Sequence, residues 1–170
     1  MKSINRPYSI LILSVAAFLL LVALLEFRVL RVTGGVFMYP LDDTFIHMAV
    51  AKTLAFQGNW GIAGHEFESA SSSVLYTLLL AGLFKLFGVH VTIPFIVNLV
   101  AGILVLVAIQ RRLIREGIGS GGQLLILMAV IILTPLPIVV FTGMEHTLQC
   151  LFSFIALVLL TKASTALIFD

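Results

Sequence analysis

Two groups of neighbouring polar residues stand out in an otherwise apolar chain. They are Asp42-Asp43, with His47 four positions beyond Asp43, and Glu145-His146. Adjacent carboxylates beside a low-dielectric boundary are costly if idle; a raised pKa, a bound cation or a substrate hydroxyl each offsets that cost. Acids with a histidine can act as a general base. A hard divalent cation (Mg, Mn or Ca) held by Asp42 and Asp43 is the other chemistry open to them. Plain helix capping plus a surface acid explains the same residues equally well. His65, Glu66 and Glu68 add polar candidates between the two groups. On this reading Asp42, Asp43 and Glu145 are the candidate catalytic residues, and His47, Glu68 and His146 the candidate substrate contacts.

The elements that must position them follow from periodicity. Pro40 and Asp42 mark a helix start and Gln57-Gly58 a stop, which predicts a helix over 42–56 with Asp43 and His47 on one face. A second helix is expected over about 73–88. It is short for a span and Lys85 interrupts it, so it is read as lying along the membrane surface. Four apolar runs, about 9–30, 91–111, 123–141 and 146–163, are long enough to cross a bilayer. The first is read as an uncleaved anchor rather than a signal peptide, because it is too long and leaves through Glu26, Phe27 and Arg28.

Charge sets the orientation. Lys2 and Arg6 put the N-terminus in the cytoplasm, and Arg111, Arg112, Arg115 and Lys162 fall on the same side if the chain crosses four times. Arg28 and Arg31 then sit outside, a mild violation. Residues 32–90 become an external loop and 142–146 a second external turn, so Asp42, Asp43 and Glu145 share one face. The glycine-rich stretch 117–122 lacks the Lys-Ser/Thr of a phosphate loop and reads as a linker. Tyr39, Trp60 and Tyr76 are expected in an interfacial aromatic belt, Cys150 is expected to be packed, and Pro135 and Pro137 are expected to kink the third span.

Composition agrees with this layout. The 170 residues are 61% hydrophobic and 11% charged, and mean hydropathy is +1.18. A soluble domain has about 45–50% apolar and about 25% charged residues. A soluble enzyme, a disordered tail and a nucleic-acid binder are therefore excluded; a net charge of +2 is too small to attract polyanions. One cysteine supports neither a disulfide framework nor a Cys-based zinc site. The fold class expected is an all-α membrane protein: about four transmembrane helices plus juxtamembrane helices in the first external loop.

Leu41-Asp42-Asp43-Thr44-Phe45-Ile46-His47, Ser71-Ser72-Ser73-Val74-Leu75-Tyr76-Thr77 and Thr142-Gly143-Met144-Glu145, in that order, resemble motifs of bacterial C-type (GT-C) membrane glycosyltransferases. Ala49-Val50 stands where many members have Arg-Tyr, and Val74 replaces a usual proline. The resemblance implies a sugar donor on polyprenyl phosphate, used at the outer face of the bacterial plasma membrane. It further implies Asp42 as base, Asp43 as its orienting neighbour or, in some branches, a cation ligand, and Glu145 as an acid that positions the acceptor or the donor phosphate. Members have eight or more spans, so the resemblance covers an N-terminal part: a truncated gene product, a fragment, or one half of a split enzyme with a partner chain for the remaining helices. The rival readings are a non-catalytic accessory membrane protein and a small transporter subunit. The second is disfavoured because the acids lie at one surface rather than near the midplane.

Overall fold

The computed structural model describes residues 6–63 and 67–169, with side chains over 8–63 and 67–161. Lys2, His65 and Glu66 lie outside the described residues, as do the side chains of Arg6 and Lys162. All regular structure among the described residues is helical: α1 (Arg6–Val32), α2 (Asp42–Gln57), α3 (Val74–Phe87), α4 (Ile93–Arg115), α5 (Ser120–Leu133), α6 (Leu136–Phe141) and α7 (His146–Phe169). α2 and α3 pack on each other; α1 packs against α4, α5 and α6; and α4 also supports α6 and α7.

Helix boundaries follow local chemistry. Pro94 sits in the first turn of α4, where its missing N–H costs nothing. Gly58 closes α2 in a left-handed conformation (φ +77°), and its N–H reaches the Leu54 carbonyl. Leu41, not Asp42, occupies the capping position of α2, and no side chain caps it. Asp42 and Asp43 lie inside the first turn instead, where the positive end of the helix dipole favours them. Within 123–141, α5 stops at Leu133 and α6 restarts at Leu136, with Pro135 between them. Proline supplies no N–H to continue the α5 ladder and disfavours helix at the residue before it.

The core lies where α1, α4, α5 and α6 meet, around Phe18, Leu106, Leu127, Ile131 and Val140. Gly102 makes that meeting possible. A Cβ there would lie 2.8 Å from Phe18 Cζ and 3.2 Å from Val140 Cγ2. Among the described residues, two helices, α1 and α4, are long and apolar enough to cross a membrane, against the four expected. The stretches Val74–Phe87, Ser120–Leu133 and His146–Thr161 are apolar but shorter. Pro135 is what shortens the second of these. Much of α1 presents apolar side chains outward, Leu20 at 61% exposure among them, a surface that suits hydrocarbon better than water.

Candidate functional site

The turn between α6 and α7 is fastened to the first loop by hydrogen bonds that bridge large sequence separations. Thr44 Oγ1 donates to the Thr142 carbonyl at 2.5 Å, and Tyr76 OH donates to the Gly143 carbonyl at 2.5 Å. Asn98 Nδ2 in turn donates to Tyr76 OH (3.1 Å) and to the Pro94 carbonyl (2.9 Å). Tyr39 OH donates to the Val91 carbonyl (2.6 Å) and accepts from Phe95 N–H (2.9 Å). Gly143 has φ +71°, and a Cβ there would collide with the Tyr39 ring and lie 2.8 Å from Thr44 Cγ2. Glycine is therefore required at the point where the turn meets α2.

Tyr39 and Tyr76 are buried, not set in an interfacial belt. In a chain this apolar, a buried hydroxyl must find a partner, and these two serve as internal posts. Burial raises the pKa of both phenols, so both stay protonated and able to donate. Cys150, expected to pack, is exposed on α7.

This fastening brings His47 and Glu145 together. His47 Nε2 lies 3.5 Å from Glu145 Oε2, with the histidine side chain 2% exposed and the glutamate 18%. His47 Nδ1 is 2.9 Å from Ser71 Oγ, which is 2.7 Å from Thr77 Oγ1. The imidazole stands edge-on to Tyr76, centroids 5.7 Å apart. Burial lowers the His47 pKa; the charges of Glu145 and Asp43 oppose that shift, and His146 adds to it. The ring is thus neutral near pH 7, and the Glu145 carboxylate favours the tautomer with its proton on Nε2. Nδ1 then accepts from Ser71, and Ser71 from Thr77, giving a relay polarised toward the carboxylate.

At 3.5 Å the His47–Glu145 contact is electrostatic rather than a formed hydrogen bond. Glu145 Oε2 is shielded from solvent and has no hydrogen-bond partner. Glu145 also lines a cavity of about 580 Å³ between α3 and α7, shared with Ser72, Ser73, Tyr76, Gln149 and Ser153. A partly exposed carboxylate at a cavity wall is suited to binding a donor group of a ligand.

The other sequence candidates are placed as follows. Asp42 and Asp43 are exposed in the first turn of α2, and Asp43 acts on His47 through its charge alone. Glu68 Oε2 accepts the Ile62 N–H at 2.9 Å, which ties down its own loop, apart from Glu145. His146 is exposed beside Glu145. Among the described residues, no three His, Cys, Asp or Glu side chains group as a metal site. Among them, Asp42 and Asp43 stand without a third side chain of these types grouped beside them. Sequence reasoning gave no site role to Thr44 or Asn98, and took Ser71 and Thr77 only as part of a motif. Asn98, polar in the middle of an apolar helix, was the available signal, because such a group is buried only when it is bonded.

No protein-family model, no curated protein and no solved structure matches the chain.

Proposed function

We propose that the chain is part of a C-type membrane glycosyltransferase that moves a sugar from a polyprenyl-phosphate donor to an acceptor hydroxyl at the outer face of a bacterial plasma membrane. In this reading α1, α4, the α5–α6 pair and α7 cross the bilayer, while α2 and α3 lie along its outer surface. α5 and α6 have 14 and 6 residues, together about 30 Å of helix at about 1.5 Å per residue, which matches a hydrocarbon core of about 30 Å. The basic residues at the end of α4, with Arg112 paired to Glu116 at 2.6 Å, mark the cytoplasmic side.

One observation carries the reading: the turn at 142–146 is hydrogen-bonded onto α2 and α3, with Glu145 set into a cavity beside them. Acids from two separate loops then serve one site. Asp42 takes the proton of the acceptor hydroxyl, whose oxygen bonds to the anomeric carbon. The bond from that carbon to the phosphate oxygen breaks, and polyprenyl phosphate leaves with the electron pair. Glu145, steadied by His47, orients the acceptor.

The exposure of Asp42 and Asp43 favours a second reading, an accessory protein that binds ligand without catalysis. Transfer from a polyprenyl-linked sugar, assayed in proteoliposomes containing the complete assembly, separates the two. Loss of a general base lowers turnover by about 10²- to 10⁴-fold, and Asp42→Asn is expected to do so. Unchanged turnover would remove Asp42 from the mechanism and favour the accessory reading.

A further inference from the structure

Two cavities meet where α3 faces α7. The one that holds Glu145 adjoins a second, of about 610 Å³, walled mostly by apolar side chains such as Leu83, Ile96, Val100 and Leu104. Leu79 and Leu148 line both, so the two lie side by side as a trough with a polar part and an apolar part. Among the described residues, Glu145 is the only carboxylate along it, no Lys or Arg lines either part, and His90 is the one histidine, in the apolar part. The ionisable groups closest to Glu145 do not reverse its sign. His47 is held neutral by burial, Asp43 adds negative charge, and His146 is exposed.

A phosphate entering this trough would meet an unneutralised carboxylate and no cation, an arrangement that excludes anions. An ammonium group would instead be drawn to the negative charge of the Glu145 side chain, 18% exposed and lining the cavity. We infer that the trough takes the acceptor and not the donor phosphate, and that this acceptor is an amphiphile with an ammonium group in its head. The head sits at Glu145, and the chain runs past Leu79 and Leu148 into the apolar cavity. Naming the occupant an acceptor rests on the transferase reading; its binding does not.

The test uses the whole chain in phosphatidylcholine vesicles. Three photoreactive probes share one alkyl tail and end in an amine, a phosphate or an alcohol. The amine probe is expected to label the segments around Leu79 and Leu148 about tenfold more than the phosphate probe, a difference worth about 1.4 kcal/mol. Glu145→Gln should bring the two level, while equal labelling by the alcohol probe shows that the trough is intact. In the unaltered chain, unlabelled alkylamine should displace the amine probe and alkyl phosphate should not, a result that needs no variant to fold. Equal labelling by amine and phosphate, or displacement by phosphate, overturns the inference. If sugar transfer proceeds without any preference for amines, this inference falls alone. If amines bind at Glu145 and no sugar is transferred, the transferase reading falls and the binding site stands.

Discussion

His47 carries the electrostatics of the site. Its ring is buried between Glu145 on one nitrogen and Ser71 on the other, and burial lowers its pKa from the ordinary 6.5. When a histidine's pKa is lower in the folded state, the unfolded chain binds more protons as pH drops below the ordinary value. The associated stability is therefore complete above about pH 6.5 and is lost as pH falls from there toward the folded-state pKa. Thermal unfolding in detergent should show Tm falling as pH drops below about 6.5, more steeply than in His47→Gln, where this proton uptake is gone. Parallel pH profiles would mean that His47 is not buried in this way. Tyr76 gives a second residue-scale check. Its hydroxyl serves both the Gly143 carbonyl and Asn98, and Asn98 Oδ1 already has no partner. Tyr76→Phe strands those buried groups and should cost about 1–3 kcal/mol in unfolding free energy. No measurable loss would show that the bridge between α3 and the turn does not form.

At the level of elements, the sequence carried the helices better than their contacts. An all-helical chain was legible because its apolar runs are long and its strand signals are absent, and Gln57-Gly58 marked the end of α2 through ordinary chemistry. The separation of α5 from α6 was only half legible. Pro135 announced a kink, but proline alone does not say whether a helix bends or stops. The misread tyrosines have a physical explanation too. Tyrosine is amphipathic, and composition cannot tell a hydroxyl that meets water from one that meets a buried carbonyl. Glu145 stood out as a charge in an apolar chain, whereas Ser71 and Thr77 gain meaning only once α3 is folded against α2. The crossing of α1 and α4 rests on Gly102, with Phe18 and Val140 against its bare Cα. Gly102→Val is expected to overpack this crossing and lower stability by about 1–3 kcal/mol, read from a thermal or denaturant midpoint. An unchanged midpoint would argue against the close packing of α1 on α4.

For the whole molecule, the central claim is that the first loop and the turn at 142–146 share one side of a membrane, with the loop at 116–119 on the other. Fastening the turn to α2 and α3 already requires the first half of that claim in any correctly folded chain. The second half depends on α4 and the α5–α6 pair both crossing, and the bilayer alone can decide it. The most direct measurement is labelling by a membrane-impermeant maleimide in oriented vesicles. Single cysteines would replace Lys52, Lys85, Ser120 and His146, all exposed, in a Cys150→Ser background. The account predicts that positions 52, 85 and 146 label from the outer side and that 120 labels only from the cytoplasmic side. Labelling of 146 from the side opposite to 52 would contradict it, because Glu145 could then share no site with α2 and α3.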